Sequence, residues 1–118
     1  MTYPMKGPML QQLASEADVD ALMSVPGPTW LLKHSNSCSI SSAALGEVSR
    51  FLGEHPDHQA GMVVVQSHRP LSNHVSQRLK FVHQSPQLFL LKEGKVAWSA
   101  THWSITAAAM AAAASAPE

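Results

Sequence analysis

Two apolar runs fix most of what this chain can become. TWLLKH at 29–34 and GMVVVQ at 61–66 are short, rich in aromatic, aliphatic or β-branched side chains and bounded by polar or glycine-containing turns, as strands covered on both faces are. Between them Ile40, Ala43, Ala44, Leu45, Val48, Phe51 and Leu52 recur at helical spacing, and Gly53 supplies a stop. A strand, a helix and a second buried strand make a parallel crossover, and such connections are right-handed.

The flanking segments extend this pattern. Leu10, Leu13, Ala14, Ala17, Ala21 and Leu22 fall at helical spacing, and Pro26, Gly27 and Pro28 end that helix before the first strand. After a polar linker from His55 to Ala60 and the second strand, Arg69-Pro70 opens a further helix carrying Leu71, Val75 and Leu79. SPQLFLLKEGKVAWSA then reads as two strands joined by a tight turn at KEG, and Ser104 is placed to cap a last helix through Ile105, Ala109 and Met110. The order is an N-terminal helix followed by β-α-β-α-β-β-α. Two right-handed crossovers followed by an antiparallel hairpin leave a thioredoxin-like α/β sandwich, with a central four-stranded mixed sheet flanked by helices. Residues 1–8, with two prolines, a glycine and no periodicity, are expected to be a flexible arm, and 9–118 a single domain.

Charge and cysteine content exclude several partner classes. Eight basic and eight acidic side chains leave no net charge, so neither a phosphate backbone nor an anionic membrane is an expected partner. The run from Ile105 to Ala114 is about half the length needed to cross a bilayer. A single cysteine cannot form an internal disulfide, and the opening residues lack a signal-peptide pattern, so the cytoplasm is the expected compartment. The seven histidines include no H-x-x-x-H pair, and there is no C-x-x-C, so no metal site is expected.

That cysteine, Cys38, lies in SNSCSIS, between the first strand and the helix that follows it. A free thiol with a pKa of about 8.5 is only about 3% thiolate at neutrality, and only the thiolate attacks sulfur. The start of a helix changes this, because its unpaired N–H groups and the positive end of its macrodipole favour an anion. Ser41 falls one turn further on, where a dithiol oxidoreductase carries its second cysteine. A hydroxyl there can donate to a thiolate but cannot resolve a mixed disulfide, so release must use an external thiol. Lys33 and His34, at the exit of the first strand, are candidate cations near the thiol. Thr101, His102 and Trp103 are brought to the same end by the hairpin. An inert buried cysteine, a thioredoxin-like adaptor or iron–sulfur carrier using Cys38 as a ligand, and a peroxide-sensing thiol are the competing readings.

LLKHSNSCSISSAA resembles the active-site segment of the monothiol bacilliredoxin (YtxJ-like) family, whose pattern is close to K-H-S-x-x-C-P-I-S-x-x-A. RPLSNHVSQRL, VHQSPQLFLLKEGKVAW and THWSIT resemble the later blocks in the same order, so the likeness spans about residues 10 to 110. The resemblance implies a thioredoxin-like fold with Cys38 as nucleophile and Ser85-Pro86 as the cis-proline pair. It also implies removal of bacillithiol from protein mixed disulfides. No bound cofactor is implied; bacillithiol or another low-molecular-weight thiol is the co-substrate, S-thiolated client proteins are the partners, and a monomer or weak dimer is expected. Ser41, Ser39, His34 and Lys33 are then candidates to stabilise the thiolate, and Ser37, Ser85, Pro86, His102 and Trp103 to bind substrate. Ser39 departs from the family, which has proline directly after the cysteine; serine there adds a donor and leaves the turn freer.

Overall fold

A computed structural model describes residues 10–116. The expected arm at residues 1–8 lies outside the described residues. In chain order the elements are β1 Leu10–Gln12, α1 Glu16–Met23, β2 Pro28–His34, α2 Ser39–Glu54, β3 Gln59–Val64, α3 Arg69–Leu79, β4 Gln87–Lys92, β5 Lys95–Thr101, a 3-10 turn His102–Ser104, and α4 Ala107–Ser115. The sheet has five strands, not the expected four, in the order β1-β3-β2-β4-β5. β1, β3 and β2 run parallel, whereas β4 and β5 run antiparallel to their neighbours.

The additional strand is the first correction. Leu10–Gln12 pairs with residues 60–62 of β3, and the Leu13 N–H donates to the Met62 carbonyl at 2.8 Å. The expected helix therefore begins only at Glu16, where the Ser15 hydroxyl accepts from the Asp18 N–H at 3.1 Å. Pairing with an open sheet edge outweighs the helical spacing of Leu10 and Leu13, since three residues of helix carry little stability of their own. The second correction is the start of α4. Ser104 closes the 3-10 turn, Ile105 inserts into the core in extended conformation, and Thr106 caps the helix by accepting from the Ala109 N–H at 3.0 Å.

Alternation along the central strands divides the core between two faces. Trp30, Leu32, Met62, Val64, Leu88 and Leu90 pack under α2 and α4, while Leu31, Val63, Phe89 and Leu91 pack under α1 and α3. Gly61 belongs to the second side for want of space. A Cβ there would lie 2.8 Å from methyl carbons of Leu13 and Leu22. The hairpin between β4 and β5 is the two-residue Glu93-Gly94 turn with φ of 54° and 79°, the left-handed pair that suits the twist of the strands. Because β2 and β3 end where β4 begins, the segments after β2, after β3, before β4 and after β5 gather at one end of the sheet. Cys38 lies at that end.

At the opposite end an aromatic cluster holds two histidines. The Trp30 indole N–H donates to His58 Nδ1 at 2.9 Å, and His55 stacks on Phe51 with centroids 4.0 Å apart. Among the described residues no three His, Cys, Asp or Glu side chains gather as a metal-binding group. No helix of the described residues is long and apolar enough to cross a membrane.

Candidate functional site

Cys38 is the N-cap of α2, with extended backbone at φ −122° and ψ 125°, and its side chain is partly exposed. An N-cap side chain faces the N–H groups two and three residues ahead, at Ile40 and Ser41. No full capping hydrogen bond has formed, yet these amides lie close enough to favour the anion. The backbone N–H of Ser41, then that of Ile40, hold the Cys38 thiol below its ordinary pKa. A modest desolvation opposes them, and the Ser41 hydroxyl adds a smaller push in their direction. Ser41 itself is fully buried and its Oγ has no hydrogen-bond partner, so the hydroxyl is free to turn to sulfur when the charge develops. Ser39 is exposed and is not among the groups that lower the Cys38 pKa. As the first helical residue, its N–H is one position too early to meet a capping side chain.

The turn before the thiol is held by a residue that the sequence did not single out. Gln66, just beyond β3, accepts from the Asn36 N–H at 3.0 Å and donates to the hydroxyls of Ser35 at 2.6 Å and Ser37 at 2.9 Å. Ser37 is thus occupied in fixing the turn while its side of the site remains exposed.

The two expected cations behave differently. His34 is buried, and burial is the largest influence on its imidazole, lowering the pKa; the Asn36 side chain and Ser41 backbone oppose this without reversing it. It is therefore neutral at neutral pH, with Nδ1 unpartnered, and supplies no positive charge. Lys33 points to the other face of the sheet. It is fully buried beneath α3, where its ammonium donates to Ser76 Oγ at 2.5 Å and lies 3.1 Å from His83 Nδ1. Strand alternation explains this: Trp30, Leu32 and His34 share the face of α2, and Leu31 and Lys33 share that of α3. With no carboxylate in contact, desolvation lowers the Lys33 pKa to about 8.

The second wall comes from the segments before β4 and after β5. The Ser85-Pro86 peptide is cis, Pro86 is buried, and the Ser85 hydroxyl is buried without a partner. The Pro86 carbonyl accepts from the His102 N–H at 3.1 Å, and His102 holds a left-handed φ of 54° in doing so. Trp103 follows, 68% exposed. Buried Gln87 steadies the approach to Pro86, donating to the Val82 carbonyl at 3.1 Å and accepting from the Gln84 N–H at 3.3 Å. Glu47 ties the two walls. It accepts from the Ala107 N–H at 2.8 Å, and that contact, ahead of Arg50, holds its carboxyl below the usual range.

A partly exposed thiol with a lowered pKa, in a chain with no second cysteine, makes a site suited to attack on an external disulfide. The fold has many relatives. A structure described provisionally as an oxidoreductase with a thioredoxin fold superposes with a TM-score of 0.84 at 28% identity, over 89% of this chain and 93% of that one. Thioredoxins from Malassezia sympodialis (TM-score 0.74, 10% identity, 96% of this chain and 94% of that one) and Trypanosoma brucei brucei (0.72, 13%, 88% of each) share the fold alone. The chain is thus a thioredoxin-fold protein of the thiol oxidoreductase type. Residues 11–110 match the family described as monothiol bacilliredoxin BrxC, and a thioredoxin sandwich whose one cysteine stands at the N-cap position of α2 is what that family looks like here: the chain belongs to it.

Proposed function

We propose that this protein removes bacillithiol from protein mixed disulfides by monothiol exchange through Cys38. The observation that supports it most is the sulfur itself. It is the only one of its kind in the chain, partly exposed, and faced by the amides of Ser41 and Ile40. The Cys38 thiolate attacks the small thiol's sulfur in the mixed disulfide, the client's sulfur leaves as thiolate, and Cys38 is left capped. Ser41 holds the position of a resolving cysteine but offers only a hydroxyl, so a second low-molecular-weight thiol or another redoxin must uncap the enzyme.

In this reading S-thiolated clients dock along Ser85, Pro86 and Trp103, with His102 and Ser37 at the margin. No cofactor is bound, no nucleic acid or membrane takes part, and the protein acts as a monomer or weak dimer in the cytoplasm. A balanced charge supports the absence of nucleic-acid and membrane partners, and an unpaired cysteine supports the cytoplasm. The test is release of bacillithiol from a purified bacillithiolated client by the wild type and by Cys38→Ala. Release by the wild type alone is the expected result, and equal rates refute the mechanism.

A further inference from the structure

The partners of the Gln66 amide fix its polarity. The backbone N–H of Asn36 can only donate, so the end of the amide that meets it at 3.0 Å is the oxygen, Oε1. Nε2 is then the end that meets Ser35 Oγ at 2.6 Å and Ser37 Oγ at 2.9 Å, and an amide nitrogen can only donate. Both hydroxyls are therefore acceptors in these bonds. Each keeps its own O–H proton for another partner, and no acceptor among the described residues takes that of Ser37.

Ser37 is exposed and directly precedes Cys38, with the two Cα atoms about 3.8 Å apart. The other hydroxyls near the sulfur have different places. Ser41 is fully buried one turn into α2 and acts on the Cys38 thiolate itself, whereas Ser39 is exposed but does not act on it. Gln66 is held from the sheet: the Val65 N–H donates to the His34 carbonyl at 2.8 Å, which joins the exit of β3 to the exit of β2. The amide thus reaches the turn from a fixed base, and Ser37 is left with an unclaimed donor on the open side of the thiol.

We infer that Gln66 is a positioning residue for the exchange reaction and Ser37 a catalytic one, the amide setting the Ser37 hydroxyl so that its proton is offered to the sulfur departing from the substrate disulfide. This rests on the exchange reaction proposed above. In its first step the Cys38 thiolate bonds to the sulfur of R in R–S–S–protein, the S–S bond breaks, and its electron pair leaves on the client sulfur. Negative charge passes from Cys38, where Ser41 and the helix amides meet it, to a sulfur on the solvent side, where the Ser37 O–H meets it. Ser37 donates a hydrogen bond to that charge and keeps its proton, because an alcohol is a far weaker acid than a thiol. The client thiolate takes a proton from water after release, and R stays on Cys38 as a disulfide.

The test compares two disulfides. One is a client protein capped with 2-mercaptoethanol, whose departing sulfur is an alkyl thiolate; the other is dithiodipyridine, whose departing sulfur spreads its charge into an aromatic ring and has little need of a donor. Every rate is divided by the thiolate fraction of Cys38, taken from its alkylation midpoint, so that changes in ionisation of the attacking thiol cancel. Ser37→Ala should slow the client reaction about three- to tenfold, as loss of one hydrogen bond to a developing charge does, and leave the dithiodipyridine reaction nearly unchanged. Ser37→Thr keeps the hydroxyl and should stay near the wild type. Gln66→Ala should show the same selective loss and add little to it in the double variant, because the amide acts through the hydroxyl. A wild-type client rate in Ser37→Ala, equal slowing with both disulfides, or losses that multiply in the double variant would overturn the inference and leave the exchange reaction standing. Wild-type release by Cys38→Ser would instead remove the exchange reaction.

Discussion

Replacing Lys33 by methionine should change how stability depends on pH, in a direction the structure fixes. The ammonium sits in a fully buried side chain with two neutral acceptors and no carboxylate, and its pKa falls from the ordinary 10.5 to about 8. Below about pH 8 both folded and unfolded chains hold the proton, and the folded state bears the whole cost of the buried charge. As the pH rises past 8 toward 10.5 the folded chain releases the proton while the unfolded chain keeps it, so the wild type gains stability over that window. At ~1.4 kcal/mol for each tenfold change, the gain is at most about 3.5 kcal/mol. Water that reaches the exposed residues over the ammonium reduces that ceiling. Methionine has a similar length and no charge, so Lys33→Met should match or exceed wild-type stability at neutral pH, as buried charges replaced by apolar isosteres tend to do. Its advantage should shrink by about 1–3 kcal/mol between neutral and strongly alkaline solution. Urea unfolding of both proteins across that range reads the difference directly, and contributions from Cys38 and other alkaline groups cancel between the two. Parallel stability profiles would refute the buried ammonium.

Titrating Cys38 by its rate of alkylation should give a midpoint below that of a free thiol, and Ser41→Ala should raise it only slightly, since the backbone amides contribute more than the hydroxyl. A large rise would mean that the hydroxyl, not the helix start, carries the effect. His58 is buried with a lowered pKa, so the unfolded chain takes up a proton near pH 6.5 that the folded chain resists, and stability should fall as the pH drops through that value. Thermal unfolding at neutral and mildly acid pH checks this, and His58→Phe should weaken the dependence while losing the Trp30 hydrogen bond. Gly61→Ala should destabilise the protein by about 1–3 kcal/mol by forcing a methyl against Leu13 and Leu22. A denaturation midpoint equal to the wild type's would show that those two side chains have room to yield.

The parts of the fold legible in the sequence are those whose pattern outlasts one turn or one strand. Ile40 to Leu52 spans most of α2, and the apolar runs mark β2, β3 and β4 with small errors at their ends. Leu10–Gln12 failed because three residues carry no period that separates strand from helix, and only the open edge of β3 decides the matter. Ile105 failed for a related reason: the core claims its side chain, and the helix must wait for Thr106. At the site, Cys38 and Ser41 were legible through their spacing in one helix. Lys33 was misplaced because β2 is apolar on both faces, and nothing in TWLLKH says which face α2 covers. Gln66 was invisible. It meets Asn36 across about thirty residues of chain, and a lone amide at a strand end has no pattern of its own.

A buried hydroxyl at position 41 also governs what happens after the first encounter. In the exchange proposed above, a capped Cys38 meets no second thiol in the chain, so its dwell time in that form would be set by the concentration of reductant around it and not by the protein's own architecture. In a cell short of small thiols it would accumulate as a stalled adduct, which makes the occupancy of Cys38 a gauge of the surrounding thiol supply.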